Sequence, residues 1–234
     1  MLKVLKDTDV TFDLSDRKWI LESTKGSTKE LVNGVVRNYY KDIFTETPYK
    51  DGEMDGVKRE YHSGILLKEF PYKNGKREGN LRIYCPFSLK LKSETPYKDD
   101  KIEGIEKEYD KHGRIVRETP YEDGKREGLE KWYYDYGTFF LLKNSDMFLW
   151  REIPYKDNKR EGIEKRYYKG QVVLEIPYKD GEREGYVQQY KRGRVVVKIL
   201  YKDNEPISGI YANGRVLTNA ELIKVIKKPL YAHI

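Results

Sequence analysis

The sequence predicts an all-β fold, an elongated single-layer antiparallel meander of about seven 23-residue β-hairpin repeats with a short C-terminal capping helix. Three observations carry this expectation. First, a Pro-Tyr motif recurs, with tyrosines at Tyr49, Tyr72, Tyr97, Tyr121, Tyr155, Tyr178 and Tyr201, so the period is 23 with one long interval of 34. Second, the chain holds 21 Tyr against 7 Phe and 3 Trp, so most of its large apolar area comes from rings with a polar tip, which suit half-exposed surfaces. Third, 38% hydrophobic and 36% charged residues in a chain of 234 are too polar a mixture for a thick core, while 13% aromatic residues exclude low-complexity disorder.

Residues 1–33 read as a non-repeat N-terminal β cap, with an alternating stretch from Val10 to Leu14 followed by Trp19, Ile20 and Leu21. Met1 to Asp7 lacks the apolar run of a signal peptide, and no stretch approaches the roughly 18 apolar residues of a membrane span.

Residues 34–215 form the repeat array. Its copies read PYKDGEMDG from Pro48, PYKNGKREG from Pro71, PYKDDKIEG from Pro96, PYEDGKREG from Pro120, PYKDNKREG from Pro154 and PYKDGEREG from Pro177, with a degenerate LYKDNEPISG from Leu200. Two further registers follow the same period. A tyrosine stands five residues after each motif glycine, at Tyr61, Tyr84, Tyr109, Tyr133, Tyr167 and Tyr190, with Tyr39 after Gly34 as a worn upstream copy. A glutamate stands two residues before each proline, at Glu46, Glu69, Glu94, Glu118, Glu152 and Glu175. Each unit reads as two strands. Gly128 to Tyr134 is rich in strand formers, turn signals recur at His62-Ser63-Gly64, Lys111-His112-Gly113 and Lys169-Gly170, and the Asp-Gly or Asp-Asn pairs supply residues that tolerate positive φ. Whether the two tyrosine registers share a face is left open by the pattern.

An extended hairpin insertion covers residues 138–150. Phe139, Phe140, Leu141, Leu142, Met147, Phe148, Leu149 and Trp150 flank a polar Lys143 to Asp146, and a two-stranded ribbon alone cannot bury them all. They either fold back on the array or meet a partner. Residues 216–234 read as a helical cap and tail: Thr218 to Glu221 matches a capping box, Leu222, Ile223 and Ile226 give an apolar face, and Pro229 marks the stop.

The net charge of +7 is concentrated at the C-terminal end, with 9 Lys/Arg against 3 Asp/Glu in residues 186–234 and 29 against 29 in residues 46–185. Lys191, Arg192, Arg194, Lys198, Lys224, Lys227 and Lys228 make a candidate basic surface, compatible with peripheral association with an anionic membrane. Acids interleaved through the array argue against a nucleic-acid partner.

The pattern from Glu152 to Tyr168, EIPYKDNKREGIEKRYY, resembles the MORN (membrane occupation and recognition nexus) repeat variant of the YwqK-type antitoxin family. Similar arrays occur in large DNA viruses. The resemblance implies a binding adapter, either a structural component of a large assembly, including a virion, or an antitoxin or immunity protein that blocks a toxin. It departs from the pattern at the turn Cys85 to Ser88, at the insertion after Tyr136 and at the extra residue of the seventh copy.

Catalytic chemistry finds no foothold in the pattern. His62 and His112 fall in equivalent turns two repeats apart and His233 is near the C-terminus, so no base is paired with a nucleophile. Asp55, Glu78, Glu103, Glu127, Glu161 and Glu184 precede the motif glycines in every copy, beside Arg77, Arg126, Arg160 and Arg183, and read with the Pro-minus-two glutamates as cross-strand ion-pair ladders. The single cysteine, Cys85, excludes an internal disulfide and has no metal-ligand companions. The expectation is therefore a non-enzymatic protein without cofactor or metal. Its partner is another protein held at the 138–150 hairpin, in the cytoplasm or, for a viral protein, the virion.

Overall fold

The computed structural model describes residues 4–6, 10–13, 18–21, 30–135 and 147–227. It is all-β and meandering, with one helix, Asn219–Lys227, among the described residues. Two compact units divide the chain, Met1–Arg114 and Ile115–Ile234.

In the first unit the long strands Gly34–Tyr40, Ile43–Lys50, Gly56–His62, Ile65–Lys73, Gly79–Tyr84, Leu91–Lys98 and Gly104–Tyr109 pair antiparallel in chain order. Val4–Lys6 runs parallel to Gly34–Tyr40, with Val4 opposite Val35. Val10–Asp13, Lys18–Leu21 and Glu30–Leu31 make a separate three-stranded sheet. In the second unit the meander comprises Ile115–Glu122, Gly128–Tyr134, Phe148–Lys156, Gly162–Tyr168, Gln171–Lys179, Gly185–Lys191, Arg194–Lys202 and Glu205–Tyr211.

The nine-residue motif is a single turn device. Both central turn residues have positive φ in each copy, as in Asp51-Gly52, Asp99-Asp100 and Asp157-Asn158, so the chain takes the two-residue turn whose twist matches that of its strands. Beyond the turn, the residue before the closing glycine donates its backbone N–H to the proline carbonyl, at 3.1 Å for Glu161 to Pro154 and for Glu184 to Pro177. The glycine then stands against the proline ring. Gly56 has φ +114°, and a Cβ there would lie 2.9 Å from Pro48 Cγ. Proline opens the motif and glycine closes it because the two touch.

Side-chain alternation sorts the repeat onto two faces. The glutamate two before proline and the tyrosine one after it are three residues apart, so they lie on opposite faces. Face A carries the residue before proline and the Pro-Tyr tyrosine; its central positions Thr47, Thr95, Thr119, Ile153, Ile176 and Ile199 are buried. Face B carries the glutamate, the proline and the second tyrosine.

The main apolar core lies on face A of the last repeats, where Leu174, Ile176, Val187, Val197, Ile199 and Tyr201 pack with Leu217 and Val225, flanked by Leu222 and Ile226. The helix thus adds a layer over a sheet face. Ile223 points to solvent and Val225 occupies the buried position, a correction to the apolar face read from the sequence, because the sheet meets the helix one residue round its circumference. Gly209 leaves room for it: a Cβ there would meet Leu217 Cδ2 at 3.2 Å. The edge strand Glu205–Tyr211 is met by the returning chain, with Ile210 bridged to Val216 and Leu217 N–H bonded to Gly209 O at 2.8 Å.

Candidate functional site

Face B carries an alternating charge ladder. In the first unit the cross-strand order is Arg37, Glu46, Arg59, Glu69, Arg82, Glu94 and Lys107, with ion pairs of 2.6 Å for Arg37–Glu46 and 3.0 Å for Arg82–Glu94. In the second unit Glu118, Lys131, Glu152, Lys165, Glu175, Gln188 and Lys198 follow the same order. The glutamates also accept the phenols of the second tyrosine register, Tyr84 to Glu69 at 2.8 Å and Tyr133 to Glu118 at 2.7 Å. Burial first, and the carboxylate beside it second, push Tyr133 up to about 12.

The acids before the glycines do not belong to this ladder, which corrects their sequence-based pairing with the neighbouring arginines. They accept turn backbone N–H groups of the following repeat, as in Asp157 N to Glu127 at 2.9 Å and Asp180 N to Glu161 at 2.7 Å. Those arginines lie over the next Pro-Tyr ring instead: Arg77 over Tyr97 at 4.2 Å, Arg126 over Tyr155 at 4.3 Å and Arg183 over Tyr201 at 4.4 Å. Shallow clefts between successive turns, lined in one case by Lys179, Asp180, Glu182, Glu184 and Asp203, recur at Glu122, Asp123, Lys125, Glu127 and Asp157. They are products of the repeat. Among the described residues no group of three His, Cys, Asp or Glu side chains is placed to hold a metal ion. His62, the last residue of the strand Gly56–His62, and His112, in a turn, are both exposed.

Of the hairpin candidates, Phe139, Phe140, Leu141 and Leu142 lie outside the described residues. Met147 is half-buried, and Phe148, Leu149 and Trp150 belong to the regular strand Phe148–Lys156. Phe148 pairs with Tyr134 and Leu149 with Tyr133, while Trp150 sits in a bulge and meets Trp132 edge-on at 6.3 Å. Of the basic candidates, Lys191, Arg192 and Arg194 share one exposed hairpin turn, and Lys224 and Lys227 are exposed on the helix. Lys198 lies on face B, opposite the face the helix covers, so these cations do not converge on one surface. Lys228 lies outside the described residues.

The sequence reading missed a row on face A of the second unit. Arg117 stands opposite Trp132, Trp132 opposite Arg151, and Arg151 opposite Arg166, on four successive long strands. Two positions along the same strands, on the same face, lie two buried acids, Glu130 at 4% and Glu164 at 0% exposure. Glu164 accepts Arg151 Nε at 2.8 Å, Arg151 Nη2 at 3.0 Å and Arg166 Nε at 2.9 Å. Burial pushes the Glu164 carboxyl up, but the two guanidinium groups outweigh it and hold it low. Glu130 accepts Trp132 Nε1 at 2.7 Å and the Thr119 hydroxyl at 3.2 Å. Arg117 lies over the Trp132 ring at 4.9 Å. Tyr134 and Phe148 continue the same face and are 56% and 44% exposed. The signal was available in the repeat. Three residues before proline, the copies read Thr45, Lys68, Ser93, Arg117, Arg151, Leu174 and Val197, so arginine occurs only beside the insertion.

Fold and surface together define a repeat protein built from successive β-hairpins, tied together within each unit by turn, ring and carboxylate contacts. Residues 102–123 match a family model described as the MORN repeat variant. No curated protein matches the chain.

Proposed function

We propose that this protein is a non-catalytic scaffold that binds another protein through its repeat array, as a structural component of a larger assembly. The observation that carries the reading is the arginine, tryptophan and tyrosine surface at the base of the 138–150 insertion. Arg, Trp and Tyr are the residue types that dominate interface energetics. Here Arg117, Trp132, Tyr134, Arg151 and Arg166 are gathered on one face, where the matching positions of the other copies hold neither arginine nor tryptophan. MORN repeats generally serve as protein-interaction or membrane-binding modules, which supports an adapter.

Native co-purification of the intact chain beside the Tyr134→Ser/Phe148→Ser variant, read by quantitative mass spectrometry, tests the proposal. One protein recovered in stoichiometric amount with the intact chain and lost from the variant is the expected result. An unchanged set of bound proteins overturns the placement of the docking surface. Co-sedimentation with phosphatidylserine vesicles that salt weakens and the variant leaves unchanged would reassign the array to a membrane surface.

A further inference from the structure

We infer that the row Arg117, Trp132, Arg151 and Arg166, with Tyr134 and Phe148 beside it, is a docking site for an acidic protein segment, one that alternates Asp or Glu with apolar side chains. The inference rests on the scaffold reading and names the chemistry of its partner.

Charge and depth carry it. Among the described residues of these four strands, the two acids on this face, Glu164 and Glu130, are buried, whereas the Arg151 and Arg166 side chains keep 18% and 34% of their surface exposed. An approaching partner therefore meets guanidinium edges and aromatic rings, while the carboxylates act as positioning residues. Glu164 fixes two guanidinium groups and Glu130 fixes the indole through its N–H. Groups held before contact lose little freedom on binding, and planar guanidinium suits carboxylate geometry.

Spacing fits an extended chain. Long strands about 4.8 Å apart put Arg117 about 10 Å from Arg151 and about 14 Å from Arg166. Alternate residues of an extended segment advance about 6.7 Å, so carboxylates four positions apart match the span from Arg117 to Arg166, while residues between them meet Tyr134 and Phe148, which pair further along the same two strands beside the row. A polyanion such as single-stranded DNA is served less well. Two of the three arginines already share Glu164, leaving a local charge too small for the many phosphate contacts that nucleic-acid affinity requires.

The test selects a phage-displayed library of random dodecapeptides on the intact chain, the Arg166→Gln variant and the Tyr134→Ser/Phe148→Ser variant. Enriched peptides are then titrated by fluorescence anisotropy, with fluorescein-labelled oligo-dT as a parallel probe. Arg166→Gln leaves Glu164 held by Arg151, and the double variant changes only half-exposed rings, so at least one keeps the β-sheet circular dichroism of the intact chain.

The expected result is a pool enriched in alternating Asp or Glu on the intact chain, bound about tenfold more weakly by Arg166→Gln and by the double variant, and weakened by salt. A pool without acidic enrichment that still loses binding to the double variant overturns the acidic partner and leaves the scaffold reading standing. Oligo-dT binding that falls with Arg166→Gln, without acidic peptides, assigns the row to nucleic acid and overturns the inference. No enrichment of any peptide overturns both readings.

Discussion

Tyr167 donates its phenolic hydrogen to Glu152 Oε2 at 2.6 Å, across a sequence separation of 15. The same separation recurs in Tyr190 to Glu175 at 2.6 Å, Tyr84 to Glu69 at 2.8 Å and Tyr61 to Glu46 at 3.3 Å. Glutamate and tyrosine are therefore one device. Glu46 and Glu69 each serve an arginine of the cross-strand ladder and a phenol, a double use that gives both registers a reason to keep the 23-residue period.

The pairing predicts an alkaline limit to stability. Burial, and after it the Glu175 carboxylate, raise Tyr190 from 10.0 to about 12. A group whose folded pKa lies above its unfolded value contributes stability that is fully present below the unfolded pKa and is lost as pH rises through the folded one. Unfolding should become easier between pH 10 and 12, the window that Tyr190 sets. Titration of phenolate absorbance at 295 nm, with urea denaturation at each pH, checks this. Glu175→Gln should bring Tyr190 down and narrow the window; an unchanged phenolate titration contradicts the role given to the carboxylate.

The proline–glycine contact predicts a graded response to alanine. Gly64 has φ +79° with no atom within 4 Å of its Cβ position, whereas Gly56 has φ +114° and Pro48 Cγ at 2.9 Å. Gly64→Ala should cost about 1 kcal/mol from backbone strain alone. Gly56→Ala should cost about 2–3 kcal/mol, because the ring must also shift. Equal urea midpoints for the two variants would falsify the contact as the reason for glycine.

These particulars show what was legible in the sequence. The hairpin period, the turn pairs and the C-terminal helix were readable because each depends on local chemistry: Asp51-Gly52 needs only positive φ, and Thr218 with Glu221 needs only the first turn of a helix. Ladder partners were misread because they depend on register. Arg77 is adjacent in sequence to Glu78, yet it lies over Tyr97, while Glu78 accepts the N–H of Asp99. The arginine and tryptophan row was hidden for a further reason. Arg117 and Trp132 differ by 15 positions, Trp132 and Arg151 by 19 across the insertion, and only the strand pairing makes them neighbours. The 138–150 segment drew attention to its apolar residues, and the edge contact of Trp150 with Trp132 across the strand pair was not readable from its local pattern.

Buried Glu164 predicts a large effect from a small change. Its side chain is fully buried and receives three charge-assisted hydrogen bonds from two arginines that reach solvent. Glu164→Gln keeps the shape but leaves both guanidinium groups without their counter-charge. Breaking a buried pair costs about 3–5 kcal/mol, and solvent access to both arginines places this variant near about 3. Chemical denaturation measures it; a loss below about 1 kcal/mol would show that solvent replaces the carboxylate.

The helix that covers face A has its own acid sensitivity. Glu221 accepts Arg215 Nη2 at 2.8 Å and the Thr218 N–H at 2.9 Å, while Glu221 N–H returns a bond to the Thr218 hydroxyl at 3.3 Å. The Arg215 bond first, and the Thr218 N–H second, lower its carboxyl from 4.5 to about 2. A depressed pKa gives stability that is present above the unfolded value and lost as pH falls through the folded one. The start of the helix should therefore loosen between pH 4.5 and 2, while Leu217 and Val225 remain the apolar tie to Val197 and Ile199. Amide hydrogen exchange at Glu221 and Leu222, followed down this range, reads the loss directly. Glu221→Gln should exchange faster at neutral pH and show a flatter acid dependence. If protection at these amides stays constant to pH 2, the cap acts through the Thr218 hydroxyl and not through the carboxylate.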